Sequence, residues 1–246
     1  MHRYQILIEY VGSNFIGWQI QSKGQSIQKL VQTKISKLLK EKINLAGSGR
    51  TDSGVHAIEQ SAHFDCKKKI ENLNKFLQSV NYFLNIKLVS ITNIKKKSFN
   101  FHARFSAKQR IYTYVIFNRI SSPSIEKNRG WHIKKKLDLK LMKKGAKKLL
   151  GTNDFSTFRA SSCNANSPIR TIKSIKIKEV KNKIQIQFKS QSFLQQQVRS
   201  MVGCLKYLAE KKWDLKKFES IFQSKKRTLC APPAPAHGLF LEKVIY

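Results

Sequence analysis

The first apolar pattern along the chain is an alternation: RYQILIEYV (Arg3 to Val11) predicts a strand with one buried face. At Ser26 the period changes. Ile27, Leu30, Val31, Ile35, Leu38 and Leu39 recur at helical spacing behind a serine suited to cap them. A short run, INLA, enters a glycine-rich loop, and IEQSAHFDC leaves it as a further strand with Ile58, Ala62 and Phe64 expected on one side. Leu73, Phe76, Leu77, Val80, Phe83 and Leu84 then form one helical stripe, and KLVSITNI reads as a strand. The predicted order is βαββαβ.

The second half repeats it. RIYTYVIFN is strand-like, LDLKLMKKGAKKLL is helical, and SIKIKEV with KIQIQFKS predicts a hairpin turning near Asn182. FLQQQVRSMVGCLKYLAEKK follows as a helix that turns Phe193, Leu194, Val198, Met201, Val202 and Leu205 inward. A shorter helix around Asp214 to Phe222 intervenes before the closing strand HGLFLEKVIY. Two successive βαββαβ units predict an α+β fold class with two ferredoxin-like halves, residues 1–105 and 106–246, and a central basic cleft where their sheets join.

Composition narrows the class. The 246 residues are 41% apolar, enough to bury one large core or two small ones. Lys and Arg number 48 against 14 Asp and Glu, a formal charge of +34, which attracts polyanions with a steep salt dependence. Lysine drift in an AT-rich genome accounts for part of that excess, since runs such as KKKL and NIKKK read as solvated faces. No stretch nears the roughly 18 continuous apolar residues of a spanning helix, and the N-terminus carries no small-residue cleavage site, so a cytoplasmic protein away from membranes is expected. Cys66, Cys163, Cys204 and Cys230 form no CxxC pair, which argues against a zinc site or a redox dithiol and for buried free thiols. The six histidines form no HExxH and no close cluster, so no metal is expected.

The candidate chemistry sits in AGSGRTDSGVH, Ala46 to His56. It is not a P-loop, because no Lys follows Gly49 or Gly54 in the required register, and a dinucleotide fingerprint fails because position 52 is Asp. One reading is a tight turn in which Asp52 caps backbone amides and the glycines supply positive φ. The other starts from Arg50 and Asp52, two residues apart and able to face one cleft together. A single carboxylate in a basic groove suits attack on, or proton abstraction from, a sugar of a polyanion. Ordinary glycoside hydrolysis wants two carboxylates, so it is disfavoured.

GSGRTDSGVHAIEQSAHF resembles the catalytic motif of the TruA family of tRNA pseudouridine synthases, whose core is GRTD-G-VH. FHARFSAKQRIYTYVIFN, LLGTNDFSTFR, FLQQQVRSMVG and RTLCAPPAPAHGLFLEKVIY resemble the family's later blocks in order, covering nearly the whole chain. The resemblance implies isomerisation of uridine to pseudouridine in tRNA at positions 38, 39 and 40 of the anticodon stem-loop, by a homodimer, with no cofactor or metal. It implies that Asp52 is the essential aspartate, by an ester at C1′ or by removal of a C2′ proton. Tyr112 matches the active-site tyrosine that stacks on the base, where Tyr114 competes from the same strand. Arg199 matches the arginine paired with the aspartate, and an arginine in an apolar stripe is costly without such a partner. Arg50 is similar to the arginine that intrudes where the flipped nucleotide leaves its stem. Leu239 and Leu241 both fit the apolar residue under the uracil, and Leu241 is assigned. Gln195, Gln196 and Gln197 depart from the family's bulkier or histidine-bearing residues. The competing class is an RRM-like RNA-binding module without catalysis, which would want an RNP1-like block that the chain lacks. A nucleosidase would instead release free uracil.

Overall fold

The computed structural model describes all residues, Met1–Tyr246. In chain order the strands and α-helices are β1 (His2–Tyr10), α1 (Ile27–Leu39), β2 (Ala46–Gly47), β3 (His56–Cys66), α2 (Leu73–Leu84) and β4 (Val89–Lys97). They continue with β5 (Gln109–Asn118), β6 (Trp131–Ile133), α3 (Leu139–Lys148), β7 (Gly151–Asp154), β8 (Ile169–Val180), β9 (Lys183–Ser190), α4 (Gln197–Ala209), α5 (Leu215–Gln223) and β10 (Leu239–Ile245). The chain divides into two compact units, Met1–Lys108 with Phe240–Tyr246, and Gln109–Leu239. Each mixes helices with a largely antiparallel sheet, an α+β fold.

In the first unit β1 lies between β4 and β3, antiparallel to both. The two-residue β2 pairs with β3 through Ala46–His63 and Gly47–Ala62, and β10 runs parallel to β3 through Phe240–His56 and Leu241–Ala57. Tyr4, Ile6 and Ile8 are buried along one face of β1, as are Ile27, Val31 and Ile35 of α1 and Phe76, Val80 and Leu84 of α2. Ser26 accepts from the Lys29 amide at 3.2 Å and Asn72 from the Lys75 amide at 2.8 Å. Each such cap satisfies an amide the first helical turn cannot, worth about 1 kcal/mol. One expected face is broken. Ile8 pairs with Gln60 but Tyr10 with Ala57, so β3 takes up an extra residue between the two pairs, and Ile58 is left 50% exposed while Ala62 and Phe64 stay buried.

In the second unit β5, β9, β8 and β7 are successive antiparallel neighbours, and β6 lies parallel to β5. The β8–β9 hairpin turns through Lys181, at φ +55°, and Asn182. Asp138 and Asp214 cap α3 and α5 by accepting from Leu141 and Lys217 amides at 2.9 and 2.7 Å. The remaining helix of this unit, α4, has no side-chain cap: Gln196 precedes it in a left-handed conformation, φ +61°. Phe193 and Leu194, expected inside this helix, therefore lie before it, although Leu194 is still buried. Beyond Arg199 nearly every face of α4 is covered, with Met201, Val202, Leu205 and Leu208 inaccessible.

Gly203 sits mid-helix in α4, where glycine costs about 1 kcal/mol relative to alanine. A Cβ there would run into the carbonyl oxygen of Pro232. Backbone does not yield as a side-chain tip does, so close approach outweighs propensity. Gly203→Ala should destabilise the protein by roughly 1–3 kcal/mol in urea unfolding, the cost of overpacking a filled site. A stabilised variant would show that the helix and the Pro232 segment are free to part.

Candidate active site

The loop from β2 to β3 is tied down at nearly every residue. Ser48 donates its amide to the Ser61 carbonyl at 2.8 Å and its hydroxyl to Gln60 Oε1 at 2.7 Å. Gln60 Nε2 in turn donates to the Gly49 carbonyl at 2.9 Å, and Ser48, Gln60 and Ser61 are all fully covered. Thr51 points inward, its hydroxyl 2.8 Å from the Tyr10 hydroxyl and its carbonyl accepting from the Trp18 amide at 3.1 Å. Gly17, at φ +112°, lets that segment approach, since a Cβ would lie 2.6 Å from the Thr51 oxygen. The Val55 amide then closes a turn on the Asp52 carbonyl at 3.2 Å, with Gly54 at φ +80° in the position where a type II turn demands it. Ser53 donates its hydroxyl to the Phe15 carbonyl at 3.0 Å.

Accessibility alternates accordingly. Arg50 is exposed, Thr51 buried, Asp52 half-buried and Ser53 exposed. Of the loop's glycines, Gly54 supplies the positive φ that the tight-turn reading expects, and the Asp52 carbonyl closes that turn next to the buried Thr51.

His56 starts β3 with its Nδ1 accepting from the Gly12 amide at 3.0 Å and its ring stacked on Phe240 at 4.8 Å. Gly12 is itself packed against the Val55 carbonyl so closely that no Cβ fits. Leu241, next to Phe240 and opposite Ala57, is 1% exposed, and Leu239 is also buried. The first unit thus brings Arg50, Asp52 and the β10 register of Leu241 to the start of β3. Tyr10, Trp18, His56 and Gln60 escaped the sequence reading as supports. The available signal was polar side chains at strand positions in IEQSAHF, where alternation predicts burial.

The second unit carries Tyr112 and Arg199. Tyr112 stands on β5 opposite Phe188, nearly covered, with the Phe193 ring edge-on at 5.3 Å. Tyr114 is fully buried, and its hydroxyl donates to the Pro235 carbonyl at 2.8 Å. Burial pushes that phenol above its ordinary range, against a smaller opposing influence of the Arg199 charge. Tyr114 is therefore a committed core residue. Arg199, half-buried in the first turn of α4, donates Nε to the Ala234 carbonyl at 2.8 Å, while the Ala234 amide donates to the Arg199 carbonyl at 2.9 Å. This reciprocal clamp fixes the arginine stem on the segment that leads to β10. Of the three glutamines, Gln195 is exposed, whereas Gln197 is fully buried and accepts from the Leu194 amide at 2.8 Å. No group of three or more His, Cys, Asp or Glu side chains is arranged to hold a metal ion, and no helix is long and apolar enough to cross a membrane.

A family model described as tRNA pseudouridine synthase matches residues 6–106 and 146–246. The tRNA pseudouridine synthase A of Pelagibacter ubique (strain HTCC1062) is 74% identical over 246 residues, covering all of both chains. That of Paramagnetospirillum magneticum (strain ATCC 700264 / AMB-1) is 40% identical, covering 100% of this chain and 96% of the relative. Among solved structures, a Cbf5–Nop10–Gar1 complex matches 82% of this chain and 53% of its own at 11% identity, with a TM-score of 0.33 that carries no weight for the fold. The chain belongs to the tRNA pseudouridine synthase family and isomerises uridine to pseudouridine in tRNA.

Proposed function

We propose that the chain acts in the cytoplasm, as a homodimer, on uridines 38, 39 and 40 of the tRNA anticodon stem-loop, with Asp52 as its one catalytic carboxylate and no cofactor. The observation that carries this reading is the anchoring of Thr51 by Tyr10 and Trp18, which fixes the backbone that presents Asp52. The reaction breaks the N1–C1′ bond, turns the retained uracil, joins C5 to C1′, and moves the C5 proton off as N1 gains one. Nothing is added or lost, so one carboxylate serves both departure and return, by an ester at C1′ or by holding the C2′ proton.

The other residues divide the remaining work. Tyr112 offers a ring to the target base, already oriented by Phe193. Arg199, its stem clamped by Ala234, supplies the cation for the aspartate. Arg50, exposed two residues before Asp52, enters the space the flipped nucleotide leaves, where unstacking costs a few kcal/mol. Leu241 belongs to the packed floor beneath the uracil. The +34 charge draws the phosphate backbone in. Residues 1–105 and 106–246 are read as two ferredoxin-like halves. The β4-β1-β3 order with β2 on the side of β3 opposite β1, and the β5-β9-β8 order, support that reading.

Asp52→Asn should abolish tritium release from tRNA carrying 5-tritiated uridine, keep the thermal transition, and leave tRNA affinity within about tenfold, or 1.4 kcal/mol. Sites mapped with the unaltered protein should fall at 38, 39 and 40. Turnover by the asparagine variant, or modification elsewhere, would refute the corresponding part.

Arg199→Ala should lower turnover more than affinity, because it removes a charge whose value is greatest during bond cleavage. Loss of tRNA affinity with intact single-turnover chemistry would instead make Arg199 a phosphate contact.

A further inference from the structure

Two cysteines 26 positions apart in sequence meet in the second unit: Cys204 Sγ of α4 and Cys230 Sγ are 3.5 Å apart, both free thiols. Such spacing has no sequence signature: all four thiols are free, as expected, but these two meet. Cys204 is sealed in the core at 1% exposure, whereas Cys230, just past the turn Arg227–Leu229, is half-buried. Arg227 is held beside the pair by donating Nη1 to Ser200 Oγ at 2.9 Å. The hydrogen bond from Cys204 and the Arg227 charge draw the Cys230 thiol below its usual range, against burial, while that same hydrogen bond and burial raise Cys204. A partly accessible thiol beside an arginine and 3.5 Å from a second thiol is the arrangement of a redox-sensitive cysteine with its resolving partner.

We propose that Cys230 and Cys204 form a peroxide-sensitive thiol pair, and that closing it to a disulfide disturbs the clamp on Arg199 and slows the enzyme. In the first step the Cys230 thiolate attacks a peroxide oxygen: the S–O bond forms, the O–O bond breaks, and hydroxide leaves to take up a proton as water. In the second, Cys204 attacks the sulfenic sulfur, the S–S bond forms, the S–O bond breaks, and a second water carries away the Cys204 proton. Two thiols are oxidised by two electrons and hydrogen peroxide is reduced to two waters. The coupling is geometric. A disulfide bond is about 2.05 Å long, so the sulfurs must approach by about 1.5 Å. Cys204 and Arg199 share α4, while Cys230 and Ala234 end one short segment whose Pro232 carbonyl already abuts Gly203. With no slack between them, drawing Cys230 inward shifts Ala234, whose carbonyl and amide hold Arg199.

The test treats the full-length protein with hydrogen peroxide and reads mass, linkage and turnover together. The expected result is loss of two hydrogens, a Cys204–Cys230 linked peptide with Cys66 and Cys163 still alkylatable after denaturation, and turnover lowered at least about fivefold and restored by dithiothreitol. Cys230→Ala and Cys204→Ala should keep untreated turnover and resist the peroxide. Link formation stands apart from the role given to Arg199, and only the loss of turnover rests on it. Absence of the link, or equal inactivation of both alanine variants, overturns the thiol pair as a site. A complete link with unchanged turnover overturns its coupling to Arg199.

Discussion

The contact on which the rest depends is the buried hydrogen bond between the Thr51 and Tyr10 hydroxyls, 2.8 Å long, with the Trp18 amide on the carbonyl of the same threonine. A chain turning from β2 into β3 has no intrinsic reason to hold one carboxylate at a fixed point. Pinning the residue before it removes most of that freedom, and the Gly54 turn removes the rest. Everything nearby serves the same end: Gly17 and Gly12 permit backbone approach, His56 ties Gly12 to β3, and Gln60 holds Gly49. Buried polar contacts are costly when half made, so a loop built from them has one well-defined conformation.

The scarcity of acid gives Asp52 its context. Several of the 14 acidic residues have structural duties plain from their positions. Asp138 and Asp214 cap helices, Asp65 clamps Arg3 through a pair of hydrogen bonds at 2.8 and 2.7 Å, and Glu210 lies 2.8 Å from Lys206. That clamp holds the Asp65 carboxyl below its ordinary range. Asp52 sits instead in a loop whose neighbours organise backbone, within a strongly cationic chain. A polyanionic substrate is gathered by the overall field, whereas the proposed mechanism depends on the local placement of one carboxylate.

What the sequence made legible followed from periodicity and short-range chemistry. The helix Ile27–Leu39 appears with its Ser26 cap, and the hairpin turns beside Asn182, because both are local. The failures have a common origin in contacts between distant residues. Alternation carried straight through β3 puts Ile58 with Ala62, but the extra residue opposite β1 exposes it. The apolar run Phe193–Leu194 extends a helical stripe that the left-handed Gln196 cuts short. Tyr112 and Tyr114 are equivalent by pattern, and the Pro235 carbonyl that the Tyr114 hydroxyl meets lies far along the chain. At the candidate site the motif identified Asp52 and Arg50. The threonine between them reads as filler until Tyr10 is seen against it.

A double-mutant cycle between Tyr10 and Thr51 tests the central claim most directly, with single-turnover pseudouridine formation in tRNA as the readout. If their hydrogen bond positions Asp52, Tyr10→Phe and Thr51→Val should each slow the chemical step by roughly tenfold or more with tRNA affinity retained. The double variant should then be no slower than the worse single one, because both remove the same contact. Unchanged single-turnover rates, or losses that simply multiply in the double variant, would contradict the account.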